Sequence, residues 1–383
     1  MIRKRLIMIL ACILVLFSIA AAGTAKYPKI TTDVAEIDEY GNLVLKISAS
    51  GLFSQGYGCN DIITVSLAGR NMEMPIVSDF KEVDAGNLLC LAADDESQGE
   101  NKTLIAINTG DLATLLGIAG MTETGEWAYH VRTPIAVTIS MKKKDGYTDE
   151  YLARQLSRSY KRADYPHLTD EQYANFRNVT TTGMGHLALY RSSSPVNPKI
   201  NRNKEADEAL NNAGVRTIIN LADSRRLMRS YRGFRTSYYS QRDVITLGMN
   251  LNFAGRRFRE KLADGLKFLA EHEGPYLIHC TEGKDRCGYV SAMLECLMGA
   301  TPEEVIADYM VTYYNYYGVE PGTRKYEAIS RGNIEKSLAE AFGVEDFRQS
   351  DPAKCAEEYL RSIGLSDETI AAVKENLGRD YAE

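Results

Sequence analysis

The sequence predicts two folded regions, a small β-rich domain followed by an α/β domain whose mainly parallel sheet is flanked by helices. Short, alternating segments separated by turn residues fill residues 28–141, whereas apolar strands alternate with amphipathic helices in residues 150–383. The length of 383 residues fits two domains at about 100–200 residues each. Because 44% of the residues are apolar, the composition excludes wholesale disorder.

Residues 1–25 precede both domains and have the composition of a targeting segment. Three of the first five residues are basic, and an uncharged, largely apolar run covers residues 6–25. A basic start, an apolar run and small residues near its end are typical of a secretory signal peptide. The run of 20 residues also matches a bilayer core of roughly 30 Å, so an uncleaved membrane anchor is the alternative. Both interpretations predict a secreted or extracytoplasmic protein, anchored to the membrane by residues 6–25 in the second case.

In the β-rich region, strand-like segments lie at residues 43–48, 62–69, 103–108 and 133–140. Residues 110–120 predict a short helix and turn. The charged run at residues 141–147 ends in Asp-Gly-Tyr, which favours a break in regular structure. The run therefore predicts a linker between the two domains.

In the second region, strands and helices alternate along the chain. Strand character lies within residues 214–223 and 275–279, and helices are expected at residues 256–272 and about 287–297. Thr301 is followed by Pro302 and by Glu304, which is the pattern of a helix start with a capping box. This order predicts an α/β domain.

The distribution of charge bears on the partners of the protein. The formal charge of −6 argues against a general nucleic-acid binder, so no nucleic-acid partner is expected. However, nine arginines and a single acid, Asp243, lie between Ser224 and Arg259. As a group these arginines predict a site for a highly phosphorylated substrate, and the alternative is a solvated helix face with buried side-chain stems.

The strongest chemical signal is the segment at residues 279–288, which joins an apolar strand to a helix. Five residues, including Gly283, separate Cys280 from Arg286. A loop of that length can wrap a tetrahedral oxyanion so that its backbone N–H groups point inward, and the helix N-terminus adds positive potential. Such surroundings favour the thiolate form of a cysteine, and the Arg286 guanidinium can hold two oxygens bidentately.

This segment resembles the His-Cys-x5-Arg signature of the cysteine-dependent phosphatases. It is most similar to the bacterial tyrosine phosphatase group that carries Gly-Lys-Asp-Arg in the loop. Supporting matches extend across residues 170–373 and include residues 175–178, 189–192, 214–219, 308–312 and 359–366. The resemblance implies an α/β phosphatase domain that hydrolyses phosphomonoesters through a phosphocysteine, with no metal or cofactor.

The resemblance also implies roles for individual residues. Cys280 is the expected nucleophile, and Arg286 is expected to stabilise the transition state. The expected substrate-binding residues are Thr281, Glu282, Gly283, Lys284, Cys287 and Gly288. His279 either orients the loop and favours the thiolate or simply ends a buried strand. Lys284 either adds positive charge for a polyanionic substrate or is a solvated loop residue.

The general acid is less clearly marked. Many phosphatases of this superfamily supply an aspartate from a separate mobile loop, but residues 244–259 contain none. Asp285 is the first candidate, because the resembling group has an aspartate at that position. Asp223, just past a strand end, is a supporting residue and the second candidate, with a turn or cap role as the alternative; Asp243 is third.

Cys287 departs from the expected pattern, since the residue after the arginine is usually Ser or Thr. The hydroxyl of that Ser or Thr supports departure of the thiolate from the intermediate, whereas Cys287 offers only a weak S–H donor. Turnover of the phosphocysteine is then expected to be slow. A reversible disulfide between Cys287 and Cys280 is a further hypothesis, and its alternative is that Cys287 is a plain buried thiol.

Two further expectations concern function. The partner is a phosphorylated protein, recognised at phosphotyrosine, or a polyanionic small molecule such as an inositol phosphate or phosphoinositide. The alternative is a phosphate-binding module with little or no catalysis. A rhodanese-like sulfur transferase is a third interpretation that the Arg286 spacing disfavours.

The β-rich region also resembles a known family, the C-terminal domain of the S-adenosylmethionine hydrolases (hydroxide adenosyltransferases). The matching segments are residues 38–43, 61–65 and 106–111. The resemblance implies a fold and no activity, because the catalytic site of that family needs a second domain.

Overall fold

The computed structural model describes residues 27–95 and 100–381. The predicted signal peptide or anchor lies outside the described residues. The chain forms two compact units that divide between Thr148 and Asp149. Within the described residues, no helix combines the length and the apolar character needed to cross a membrane.

The first unit is built around a closed barrel of seven strands. The strands of this unit are β1 (Ile30–Ile37), β2 (Leu43–Leu45), β3 (Ile62–Leu67), β4 (Arg70–Val77), β5 (Leu88–Asp95), β6 (Glu100–Ile107), β7 (Ala119–Met121), β8 (Trp127–Tyr129) and β9 (Ala136–Lys143). Two short helices, α1 (Ala49–Ser54) and α2 (Leu112–Leu115), accompany them. The barrel follows the order β1-β2-β6-β5-β4-β3-β9, and β7 pairs with β8 in a separate small sheet. Strands β4 and β5 run parallel, whereas the other neighbouring strands of the barrel are antiparallel.

Side-chain alternation along β3 explains the core of the barrel. Ile63, Val65 and Leu67 are buried, and the residues between them are partly exposed. The predicted linker at residues 141–147 is wrong in part, because β9 continues through Lys143, which pairs with Ile62. The lysine side chains at the end of β9 are exposed to solvent while their backbone completes the ladder, so a charged run is compatible with a strand here.

The second unit has a five-stranded, mainly parallel sheet with helices around it. Its strands are β10 (Arg177–Asn178), β11 (Leu189–Ser192), β12 (Thr217–Asn220), β13 (Asp243–Thr246) and β14 (Tyr276–His279). The order is β10-β11-β14-β12-β13. Strand β10 runs antiparallel to β11, and the remaining neighbours are parallel. The central strand β14 is buried along its whole length.

The helices of the second region are α3 (Thr148–Arg154), α4 (Asp170–Tyr173), α5 (Asn203–Asn212), α6 (Arg225–Ser230), α7 (Arg256–Glu271), α8 (Asp285–Met298), α9 (Pro302–Tyr317), α10 (Arg324–Ser330), α11 (Lys336–Phe342), α12 (Pro352–Ser362) and α13 (Asp367–Gly378). Helix α8 is buried from Cys287 to Leu297, as expected of a central helix whose residues are mostly apolar. It begins two residues before the predicted start, which places Arg286 in its first turn. The predicted capping box at Thr301 is confirmed, with Glu304 as its partner.

Candidate active site

The site lies where β14 ends and α8 begins. Strand β14 is flanked by β11 and β12, and His279 is in register with Ser192 and Asn220. All three parallel strands therefore end at one edge of the sheet, where open α/β folds bind their ligands. Residues 280–284, called the Cys280 loop below, occupy this edge, and the Cys280 side chain is almost fully buried.

Gly283 explains how the Cys280 loop turns so tightly. Its φ of +67° lies in the left-handed region. A Cβ at this position would lie 2.3 Å from the carbonyl oxygen of Ser192. Both the backbone conformation and the close approach to β11 therefore require glycine.

A buried polar scaffold supports the loop from behind. The Asn175 side-chain amide donates to the carbonyl oxygens of Glu282 at 3.4 Å and of Gly283 at 3.3 Å. Arg191 is fully buried and donates to the Gly283 carbonyl at 3.1 Å and to Asp308 at 2.5 Å. These bonds fix the direction of the loop carbonyls, so the opposite face of the loop is left for its N–H groups.

Asp308 is the anionic centre of this scaffold. Arg177 binds its Oδ1 at 2.8 Å, and Arg191 binds its Oδ2. Burial by itself would raise the pKa of Asp308, but the two guanidinium groups outweigh that effect and hold it well below its usual range. The carboxylate is therefore ionised, and it compensates the positive charge beneath the loop.

Arg286 has the surroundings expected of an anion ligand. Its Nη1 donates to the carbonyl of Met249 at 2.9 Å, and Nη2 lies 3.5 Å from the hydroxyl of Thr281. Its Nε is buried and has no hydrogen-bond partner among the described residues. In the first turn of α8, the N–H groups of Asp285, Arg286 and Cys287 have no carbonyl four residues earlier within the helix. Together these donors suit a tetrahedral oxyanion.

His279 is buried, and its ring contacts the backbone of the next residue, Cys280. Its Nδ1 lies 3.2 Å from the carbonyl oxygen of Cys280, and Nε2 lies 2.8 Å from the Tyr239 hydroxyl. Because a carbonyl only accepts, Nδ1–H donates and Nε2 accepts from Tyr239. Burial lowers the pKa of His279 to about 4, so the ring is neutral near pH 7. The histidine therefore orients the Cys280 carbonyl without adding a positive charge.

Asp223 lies at the far end of the hydrogen-bond chain that begins at His279. Asn220 donates to the Tyr239 hydroxyl at 3.1 Å and to Asp223 Oδ2 at 3.1 Å. Tyr231 donates to Asp223 Oδ1 at 2.7 Å. Both carboxyl oxygens of this buried residue thus accept bonds from neighbouring side chains, which is the arrangement of a structural carboxylate.

Asp285 differs from Asp223 because it remains accessible. Its side chain is 43% exposed and lies 3.7 Å from Nζ of Lys284. Desolvation raises the pKa of Asp285, and the lysine opposes that effect only in part. A partly exposed carboxyl with a raised pKa at the start of α8 has the properties of a general acid.

Glu282 and Lys284 form a charged rim on the loop, together with Arg158. The Arg158 guanidinium binds both carboxylate oxygens of Glu282, at 2.7 Å and 2.6 Å. Its carbon Cζ also lies over the rings of Tyr160 and Tyr316, at 5.2 Å and 5.1 Å from their centroids. Desolvation acts to raise the pKa of Glu282, but the bonds from Arg158 outweigh it and lower that pKa. Lys284 lies 3.8 Å from Glu282, so the rim is balanced by two cations.

Cys287 and Gly288 point away from the loop opening. Cys287 is buried and donates its thiol proton to the carbonyl of Ile278 at 3.2 Å, and burial raises its pKa to about 11. Both Cys280 and Cys287 are free thiols. The Gly288 amide donates to the carbonyl of Lys284 at 2.8 Å, and a Cβ there would lie 2.6 Å from the Tyr309 ring. The close packing of α8 against α9 therefore requires glycine at position 288, and its substrate-binding role stays a prediction.

A family model described as "Tyrosine phosphatase family" matches residues 168–379, more than half of the chain. The chain belongs to the tyrosine phosphatase family. A second model, "SAM hydroxide adenosyltransferase C-terminal domain", matches residues 32–124. Both resemblances stated from the sequence are therefore confirmed.

Similarity to individual proteins is more limited. A tyrosine-protein phosphatase of Nostoc commune is 28% identical over 135 residues, which is 30% of this chain and 42% of that protein. The chain thus spans less than half the length of this curated relative. A crystal structure of an uncharacterized conserved protein from Thermotoga maritima matches with 20% identity and a TM-score of 0.23. That match covers 29% of this chain and 36% of the other.

Some residues of this tyrosine phosphatase site could not be assigned from the sequence. Asn175, Arg191 and Asp308 lie in segments that resemble the family, but only the structure shows that they support the loop. Arg158 lies before the matched range and gave no signal, because one arginine among several polar residues has no distinctive pattern.

Proposed function

We propose that this phosphatase hydrolyses phosphomonoesters through a phosphocysteine on Cys280, without a metal ion. The observation that carries the proposal is the donor set around the loop: the Nε of Arg286, buried and without a hydrogen-bond partner in the described part of the chain, lies beside the first-turn N–H groups of α8, which have no acceptor within the helix. These donors would stabilise the negative charge of the equatorial oxygens in the transition state.

In the first step, the Cys280 thiolate attacks phosphorus in line with the leaving oxygen. A new S–P bond forms as the O–P bond breaks, and Asp285 donates a proton to the leaving alkoxide or phenoxide. The accessible side chain of Asp285 and its raised pKa support this assignment over Asp223. The Asp223 carboxylate already accepts bonds from Asn220 and Tyr231.

In the second step, water attacks the phosphocysteine. Asp285, now ionised, accepts a proton from that water, the S–P bond breaks, and inorganic phosphate and the Cys280 thiolate are released. A hydroxyl after the arginine would assist the departing thiolate, but the Cys287 thiol is directed to the Ile278 carbonyl. We therefore expect hydrolysis of the intermediate to limit turnover, and Cys287→Ser to raise kcat severalfold. A rapid-quench assay should then show a burst of product in the wild type that is smaller in the variant; a slower Cys287→Ser enzyme would contradict this.

The substrate proposal covers phosphotyrosine proteins and inositol phosphates or phosphoinositides. Lys284, which lies on the loop rim with most of its side chain buried, supports a substrate with more than one negative group. Burial would lower the pKa of Lys284, but neighbouring Asp285 and other groups raise it above its usual value, so the amine is charged.

The test is hydrolysis of para-nitrophenyl phosphate in the presence of EDTA, followed by a panel of phosphotyrosine peptides, phosphoinositides and inositol hexakisphosphate. Cys280→Ser should abolish turnover, and the wild type trapped during turnover should gain the mass of one phosphoryl group on the peptide that contains Cys280. Arg286→Lys is the matched control for charge: it keeps the cation but loses bidentate binding, so it should also be strongly impaired. Activity that is lost with EDTA, or retained in Cys280→Ser, would contradict the proposal.

A phosphate-binding module with little catalysis is the second candidate. It is favoured because Cys287 stands where a hydroxyl would assist the departing thiolate and donates its thiol proton to the Ile278 carbonyl instead. It predicts that inorganic phosphate binds to the wild type and less to Arg286→Lys, while no turnover exceeds that of Cys280→Ser. Isothermal titration beside the hydrolysis assay separates the two functions.

A further inference from the structure

The segments that follow β12 and β13, including α6 and the start of α7, form a basic surface with two projecting leucines. Its cations, called the basic face below, are all exposed: Arg225, Arg226, Arg229, Arg232, Arg235, Arg256, Arg257 and Arg259. Among the described residues, Arg256 is the only member with an ion-pair partner, Glu260. The positive charge of the face is therefore available to an external anion.

Connections to the sheet place this face at the same edge as the Cys280 loop. The backbone N–H of Met249 donates to the carbonyl of Leu221 at 2.8 Å, so the chain after β13 runs beside the chain after β12. The Met249 carbonyl accepts from Arg286 at 2.9 Å. Leu251 follows Met249 by two positions. At about 3.5 Å per residue, its Cα therefore lies within about 7 Å of the Met249 Cα.

The arginines on α7 lie at the N-terminal end of the helix, where its macrodipole disfavours positive charge. Arg256, Arg257 and Arg259 lie in its first turns, and the first turn contains no acidic residue. A solvated face that served only solubility would not need this arrangement, so an anionic partner accounts for it better.

Two exposed leucines beside the arginines indicate which kind of anionic partner the basic face binds. Leu227 is 47% exposed in the middle of the α6 arginines, and Leu251 is 59% exposed at the tip of its loop. The loop is anchored on both sides of Leu251, because Met249 bonds to Arg286 and Phe253 stacks on Tyr289 with ring centroids 4.4 Å apart. Leu251 therefore projects from a fixed base.

We propose that the basic face is a docking surface for an anionic lipid bilayer, with Leu227 and Leu251 entering the interfacial region. Arginines attract the negative surface charge of such a bilayer, and neighbouring apolar side chains add binding by burial among the acyl chains. A soluble polyanion or an acidic protein would need the arginines but would gain little from two exposed leucines. Docking in this orientation brings the Cys280 loop close to the lipid headgroups.

The experiment uses full-length Cys280→Ser protein, so that its outcome does not depend on the proposed catalysis. Cosedimentation is compared for vesicles of phosphatidylcholine alone and of phosphatidylcholine mixed with phosphatidylserine. The variant Arg225→Gln/Arg226→Gln/Arg229→Gln should weaken binding to the mixed vesicles by at least about tenfold. Leu227→Ser/Leu251→Ser should weaken it severalfold and leave the salt dependence unchanged.

The matched control is Arg331→Gln/Arg361→Gln/Arg379→Gln, which removes three charges from exposed positions elsewhere in the same unit. It should bind mixed vesicles as the parent does, and thermal melting should show that every variant is folded. Equal weakening by the control, or no effect of the α6 variant, would overturn the proposal. If the α6 variant lost binding to an acidic phosphopeptide but still bound the mixed vesicles, the proposal would be overturned in favour of a protein partner.

Discussion

Replacing Arg158 with methionine should weaken substrate binding even though Arg158 is not part of the Cys280 loop. Methionine keeps an unbranched stem that can pack on Tyr160 and Tyr316, so the change removes mainly the guanidinium. Glu282 then loses both of its short bonds, and Lys284 at 3.8 Å remains its nearest cation. An uncompensated carboxylate on the loop would repel an incoming phosphate.

The size of the effect follows from the position of Glu282 in the loop. Glu282 follows Cys280 by two positions, so its Cα lies at most about 7 Å from that of Cys280, and we take its carboxylate to lie roughly 10 Å from a bound phosphoryl group. One charge at 10 Å from a dianion costs about 1 kcal/mol at the dielectric constant of water and about 3 kcal/mol at an effective value of 20. Because Lys284 offsets part of this repulsion, we expect KM to rise about tenfold.

The assay is steady-state hydrolysis of para-nitrophenyl phosphate by the wild type, Arg158→Met, Glu282→Gln and the double variant. Arg158→Met should raise KM much more than it changes kcat, and the added Glu282→Gln should restore KM because a neutral amide does not repel phosphate. Arg162→Met is the matched control, since Arg162 pairs with Asp170 instead of the loop. If the double variant is as impaired as Arg158→Met, the repulsion of phosphate by Glu282 is refuted as the cause, and the loss is due to the missing contacts of the guanidinium with Tyr160 and Tyr316.

Three further predictions follow from the site. Asp285→Asn should lower kcat for an alkyl phosphate by about 100-fold. It should also remove the fall in kcat at rising pH, because the raised pKa of Asp285 sets the alkaline limb of the pH–rate profile. An unchanged alkaline limb would identify another acid. Gly283→Ala should abolish activity and destabilise the fold, because its Cβ would lie 2.3 Å from a carbonyl oxygen, whereas Gly299→Ala, with no atom within 4 Å, should keep activity; equal activity of the two variants would show that the loop can relax. Burial lowers the pKa of His279 from 6.5 to about 4, so the unfolded chain takes up this proton first as pH falls. About 3 kcal/mol of stability present above pH 6.5 should therefore be lost toward pH 4, and urea unfolding of His279→Gln should lack that dependence.

The sequence was sufficient to predict the strand, loop and helix that contain Cys280. These elements are contiguous, and each has a local signal: an apolar run for β14, a glycine for the turn, and an apolar helix after Arg286. The same was true of the capping box at Thr301, which depends on residues three apart. Local patterns of this kind need no knowledge of distant contacts.

The supporting residues could not be predicted in the same way. Arg191 and Asp308 are 117 residues apart in the chain, and nothing in either segment identifies its partner. The linker at residues 141–147 was wrong in part for a related reason, since pairing with β3 extends β9 through a charged run whose composition favours a loop. Long-range pairing therefore decided what local composition could not.

The scaffold behind the Cys280 loop also has a consequence for when the proposed activity can begin. Its members come from distant parts of the second unit, and the Arg177–Asp308 bond spans 131 residues of sequence. A chain that is only partly synthesised cannot assemble these partners around the loop. The thiol would then lack its oriented donors, so the nascent protein should be inert toward phosphoesters until the whole unit has folded.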